Sequence, residues 1–361
     1  MGSGVVLFFL SFLTGLAMSG NLATRTPFDL MNLLYPGTVL PYLVNATFLP
    51  PKTVGYLTYG GYSDSSYGLY NLLWYGQPLW RNAWSGIAFM VLNSCWWIFW
   101  LGQGLKRRFH NPLTTLWSKG QSYIMSGSFA AILLGFTLQT TESYRLYDNF
   151  YLLQGFVLMF FLILISALSP HRQTLQDWAR YRHQVSQERR HVLKDLIWGE
   201  KSPATLAIAI NLAIVTAFIV PSILLFPLKE NKIQVLAGLL LNINMIIVYA
   251  AIAQLMLFMK NQKRTVWTGA TVTTLMFFPL GIMTLFGSGE PAKTAIFGLF
   301  SVASIWAVDY VSTTAICLSV LGQWLAIVAV SFQMTKQLRK TGESETQALL
   351  SNRHQRAIAS S

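Results

Sequence analysis

Apolar residues in this chain come in long blocks separated by short polar segments, with little strict alternation. About 20 mostly apolar residues cross roughly 30 Å of hydrocarbon at about 1.5 Å per residue. Blocks of that kind run from Trp84 to Gln103, Gln121 to Gln139, Phe150 to Leu168, Ala204 to Pro227, Ile233 to Phe258 and Val266 to Gly287. The stretch from Thr294 to Gln333 has one formal charge, Asp309; it is long for one span and short for two with a turn. Val5 to Met18 is a shorter run without a basic flank and reads as a span, with a cleaved signal near Ser19 and Gly20 as the alternative.

The polar segments set the orientation. Residues 104–120, 169–203, 259–265 and 334–361 hold 19 Lys and Arg in 87 residues, whereas 20–83, 140–149, 228–232 and 288–293 hold 7 in 85. Basic loops stay in the cytoplasm, so the first set is inside. Parity then requires an odd number of crossings between 294 and 333. One crossing from Tyr310 to Gln333 satisfies it, with Thr294 to Val308 as an outer re-entrant or interfacial helix. The expected architecture is an all-α polytopic bundle of about eight spans, both termini inside. It divides into a first span with an aromatic-rich outer loop (1–83), a three-span block (84–168), an amphipathic linker (169–203), a C-terminal membrane block (204–333) and a basic tail without regular structure (334–361).

Composition agrees: 53% hydrophobic and 11% charged, against roughly 25% charged for a soluble domain. The two cysteines, Cys95 and Cys317, lie in apolar runs and exclude a secreted disulfide framework. The net charge of +13 belongs to the inner loops and calls for no nucleic acid partner.

The outer loop carries Tyr35, Tyr42, Tyr56, Tyr59, Tyr62, Tyr67, Tyr70 and Tyr75 with Trp74, Trp80 and Trp84. Such rings favour the headgroup level and form an aromatic belt, or a platform for a sugar or lipid headgroup. The inner segment Leu105 to Lys119 includes Arg107, Arg108, His110 and Asn111, a topology anchor that also touches anionic lipid, or a contact for a cytoplasmic partner. In the linker, Leu175, Trp178, Tyr181, Val185, Val192 and Leu196 fall within a stripe about 120° wide on a helix. The polar run Ser186 to Arg190 can break it into two helices. The stripe lies on the membrane face or docks a soluble subunit.

Catalytic patterns are missing. No two of His110, His171, His183, His191 and His354 have the spacing of helical metal ligands. Gly287 to Thr294 imitates a phosphate loop, but Ala292 replaces its second glycine and no strand precedes it. The chain carries no nucleotide engine, binds no cofactor of its own, and reads as a non-enzyme. Asn93, Asn211, Asn242, Asn244 and Gln254 read as interhelical hydrogen-bonding groups.

Trp100 to Tyr123 (WLGQGLKRRFHNPLTTLWSKGQSY), the linker (LSPHRQTLQDWARYRHQ through LIWGEKSPATLAIA) and Leu33 to Tyr42 (LLYPGTVLPY) resemble the later half of ABC transporter permeases, the large ABC-2-related membrane subunits common in cyanobacteria. The resemblance implies a permease subunit of the bacterial inner membrane, of export type, with ATP bound by a separate ATPase. Membrane lipid and a second permease subunit or second copy are the further partners. Members of that family begin with a longer membrane block, so a shortened or split subunit is also implied. The residues expected to meet the ATPase are Arg172, Asp177, Trp178, Arg180 and Tyr181, with Arg107, Arg108, His110 and Asn111 as a secondary contact. A membrane-embedded enzyme acting on lipid or glycan and a non-transporting scaffold remain the other readings.

Overall fold

A computed structural model describes residues 26–27, 30, 72–79, 83–184, 192–228, 232–259, 263–286, 291–301 and 303–359. The span expected from Val5 to Met18, the tyrosines from Tyr35 to Tyr70, and Trp80 lie outside them. Eleven helices occur among the described residues: α1 Ala83–His110, α2 Lys119–Thr137, α3 Ser143–Leu168, α4 Arg172–Gln184, α5 Val192–Trp198, α6 Thr205–Leu225, α7 Lys232–Met256, α8 Arg264–Phe286, α9 Pro291–Gly298, α10 Ser304–Val308 and α11 Thr313–Ala359. A two-stranded hairpin, β1 Leu73–Trp74 and β2 Gln77–Pro78, is the exception to the all-α expectation.

Six of these helices, α1, α3, α6, α7, α8 and the first thirty residues of α11, are long and apolar enough to cross a membrane. The chain is a multi-pass helical membrane protein. The segment expected as a span from Gln121 to Gln139 is helical as α2 but is not among the six. Its serines and glycines lower its apolarity, and it is largely enclosed by protein, with Met125, Phe129, Leu133, Leu134 and Phe136 buried. A helix sheltered by its neighbours need not match hydrocarbon on every face.

The contacts separate two compact units, residues 1–102, 128–156 and 218–232 in the first and 103–127, 157–217 and 233–361 in the second. In the first, the hairpin seats on the C-terminal turns of α2. The turn residues Tyr75 and Gly76 both have positive φ, 50° and 72°, the backbone of a type I′ connection. Trp74 packs against Tyr75 and Phe89, and Phe89 against Phe136.

In the second unit, Leu241 of α7, Leu299, and Ala307 and Val308 of α10 form a buried cluster, flanked by Ile316 and Val320 of α11. The outer helix expected from Thr294 to Val308 is therefore two short helices broken at the turn after Gly298; α9 packs against α8, and α10 joins the cluster with α7 and α11. Residues from 334, expected to lack regular structure, continue α11 to Ala359. That extension has a physical basis: α11 packs along α4, and Met334, Gln337, Leu338, Thr341 and Gly342 form its covered or half-covered face. Spacings of three and four residues put these five on one side of a helix.

Candidate functional site

The best-connected polar site of the second unit starts at the sequence Ser118-Lys119-Gly120-Gln121. The Ser118 amide donates to Gln121 Oε1 at 2.9 Å, and the Gln121 amide donates to Ser118 Oγ at 3.1 Å. This reciprocal capping box starts α2 and satisfies amide groups that a helix end leaves unpaired. Lys119, the first residue of the helix, is 3% exposed. Its ammonium donates to Leu196 O at 2.7 Å, Ser202 Oγ at 2.6 Å and Pro203 O at 3.1 Å, which uses all three of its hydrogens.

Leu196 belongs to the last turn of α5, where carbonyls have no partner within the helix. Tyr123, one helical turn after Lys119, donates to the next carbonyl, Ile197 O, at 2.6 Å. The side chain of Ser202, while accepting from Lys119, lies 2.6 Å from Asp195 O and 2.9 Å from Gly199 O. The Trp198 ring meets Tyr123 edge-on at 5.6 Å, and a Cβ on Gly120 would lie 3.1 Å from it. Glycine at 120 therefore lets α5 approach α2. Burial lowers the Lys119 pKa to about 8, and the Asp195 carboxylate acts in the opposite direction.

Two further side chains extend the network into the neighbouring helices. Asn211 of α6 donates to Ser122 Oγ at 2.9 Å and accepts from Ser126 Oγ at 2.8 Å. Gln254 of α7 donates to Ser169 Oγ at 2.9 Å and accepts from the Ala204 amide at 3.3 Å. The Leu116 amide donates to Ala167 O at the end of α3, and Arg107 pairs with Glu200 at 2.8 Å. The α5 helix and the segment 199–203 are thus joined to the start of α2 by hydrogen bonds and to α1 by one ion pair, while α2 is joined to α6 through Asn211. Asn211 and Gln254 act between helices, as their sequence setting implies.

The residues expected to form the main partner contact all lie on α4, but they do not share one face. Asp177 and Tyr181 are exposed in line with Gln173. Arg172, Trp178 and Arg180 are half-buried beside the buried pair Leu175 and Ala179. The apolar stripe drawn through Tyr181 is corrected accordingly: Leu175 and Ala179, four residues apart, define the inward side, and Tyr181 points away. Arg180 pairs with Asp177 at 2.9 Å, and Arg182 approaches Asp195 of α5 at 4.0 Å. Arg172 Nε, Trp178 Nε1 and Arg182 Nη2 are buried donors without an acceptor among the described residues. In the secondary group, Arg108, His110 and Asn111 are exposed, whereas Arg107 is turned to Glu200. His110 Nδ1 lies 2.9 Å from Lys106 O, and Asn111 Oδ1 accepts from the Leu113 amide.

Lys119, Tyr123 and Ser202 were not among the expected site residues. A signal for the first was available: a serine and a glutamine three apart, immediately before an apolar run, enclose one lysine. Its partners across 77 to 84 residues of chain have no such signal. No group of three or more His, Cys, Asp or Glu able to hold a metal occurs among the described residues. The site offers a mechanical connection, with the exposed side chains of Leu193 and Trp198 as its open surface. Comparison with protein families, curated proteins and solved structures finds no match to the chain.

Proposed function

We propose that this chain is a membrane subunit of an ABC transporter, of export type, driven by a separate ATPase that meets α4 and α5 on the cytoplasmic side of a bacterial inner membrane. The observation that carries the reading is the attachment of α5 to the helix ends through Lys119. A motor outside the membrane needs a rigid element that it can grip and that moves the spans with it. One bond from Lys119 and one from Tyr123 tie α5 to α2, two more from Lys119 hold Ser202 and Pro203 just after it, and Leu193 and Trp198 of α5 remain open. Basic residues concentrate in the same segments, which favours their cytoplasmic placement. The sequence resemblance supports the partner's chemistry, since the chain lacks a phosphate loop of its own.

The contact surface in this reading is Leu193 and Trp198 of α5 with Asp177 and Tyr181 of α4; Arg172, Trp178 and Arg180 support it from the side. The test is cross-linking in membranes of the native host. Leu193→Cys, in a chain with Cys95→Ser and Cys317→Ser, is expected to yield a cross-linked product whose partner is a protein with a phosphate-loop motif. The yield is expected to change when ATP is replaced by a non-hydrolysable analogue. Products containing only lipid or other membrane proteins, unaffected by nucleotide, would count against the assignment.

A further inference from the structure

Past its apolar stretch, α11 has two contrasting sides. Met334, Gln337, Leu338, Thr341 and Gly342 occupy the covered or half-covered side, and α4 is the helix along which α11 packs. Lys336, Arg339 and Lys340 are exposed. At about 100° per residue, the three cations centre roughly 180° from the covered side, within an arc of about 100°. They form one outward-facing basic face on a helix whose other side is occupied.

Helix length gives the depth of this face. Thr313 to Phe332 contains no charged residue and, at about 1.5 Å per residue, spans about 30 Å, the hydrocarbon thickness. Lys336 to Lys340 then lie about 6 to 12 Å beyond that run, at headgroup level or within reach of it by side chains that extend back toward the interface. Phe332 and Gln333, just before them, are exposed, so the surface leading to the cations is open to lipid chains.

We propose that this face of α11 is a binding surface for anionic phospholipid headgroups. Cations near a membrane surface attract acidic lipid, and each guanidinium or ammonium donates hydrogen bonds to phosphate oxygens. The packing of α11 along α4 orders these cations, so less freedom is lost on lipid contact than from an unstructured tail. The inference concerns lipid selection and does not depend on the transporter assignment.

The experiment uses the full chain in nanodiscs, with Gln333→Cys labelled by bimane in the Cys95→Ser, Cys317→Ser background. Trace phosphatidylglycerol with brominated chains is expected to quench the probe about two- to threefold more than the same fraction of brominated phosphatidylcholine, with the difference shrinking in high salt. Replacing Lys336, Arg339 and Lys340 together by Gln is expected to abolish the preference. The charge-conserving set K336R, R339K and K340R keeps it. Equal quenching by the two lipids in the unsubstituted chain would overturn the proposal, as would a preference that survives the triple Gln substitution. Binding of an acidic protein instead would appear as no lipid preference and also counts against it.

Discussion

The two halves of α2 make their contacts by opposite means. Its N-terminal turns project side chains, Lys119, Ser122, Tyr123 and Ser126, to carbonyls and amides of other segments. Its C-terminal turns offer backbone carbonyls to side chains that arrive from elsewhere. Tyr75 donates its hydroxyl to Ala131 O at 2.8 Å and its amide to Gly135 O at 3.0 Å; Trp74 Nε1 donates to Ile132 O at 3.3 Å. Gly135 makes this approach possible, because a Cβ there would overlap the Trp74 indole. Polar contacts of the first kind rest on side chains of α2 itself, one of them a buried charge, and those of the second require a missing side chain. The two halves should therefore fail differently.

The largest effect is expected at Lys119. Lys119→Met leaves three acceptors without their donor, and at about 1–3 kcal/mol per orphaned group, less what water and relaxation recover, the loss is about 2–4 kcal/mol. Thermal unfolding in mild detergent measures it. The pH response separates the two halves further. The folded Lys119 pKa, about 8, lies below its ordinary 10.5, so the unfolded chain binds more protons between those values. Its contribution to stability is therefore largest above about 10.5 and falls as pH drops through about 8. The stability gap between the unsubstituted chain and Lys119→Met should widen from pH 8 to 10 and stay flat below pH 7. A flat difference throughout would mean that Lys119 is not desolvated.

At the other half, Gly135→Ala should cost about 1–3 kcal/mol through overpacking against Trp74. The substitution should be nearly neutral in a Trp74→Ala chain, because the two residues share one contact. Additive losses in that double-mutant cycle would remove the close approach from the explanation. Tyr75→Phe, which deletes one exposed hydrogen bond, is expected to cost about 1 kcal/mol or less by the same unfolding assay. Arg107→Gln should be smallest, under about 1 kcal/mol, because its partner Glu200 is solvent-exposed enough for water and salt to screen the pair. A larger loss would place Arg107 inside the polar network and not at its edge.

The membrane helices were legible because hydrocarbon imposes a length and an apolar composition on each of them. The segment expected as a span at Gln121 to Gln139 is helical as α2 but falls outside the six long apolar helices, because Ser122, Ser126 and Gly127 lower its apolarity. Exposure along the spans was less legible. In α7 most positions between Val235 and Gln254 are buried, whereas in α8 only Met276 is. The polar residues Asn242, Asn244 and Gln254 of α7 carry part of that difference; the apolar positions of the two helices do not say whether lipid or protein covers them. The basic tail was expected to lack structure because charge alone marks it; the regular spacing of Met334, Leu338, Thr341 and Gly342 was the overlooked sign of a packed helix. At the site, the polar residues of the spans were read correctly as links between helices. Lys119 was missed because its partners are backbone carbonyls, which every residue possesses and no motif advertises.

Hydrogen exchange monitored by mass spectrometry, on the full chain in nanodiscs, measures the attachment of α5 directly. In Lys119→Met, amide protection is expected to fall across residues 192–203 while the hairpin at 73–78 keeps its own, because that hairpin is held by different bonds. Unchanged protection across 192–203, or an equal loss in both segments, would contradict the claim that Lys119 fastens α5 to the membrane helices.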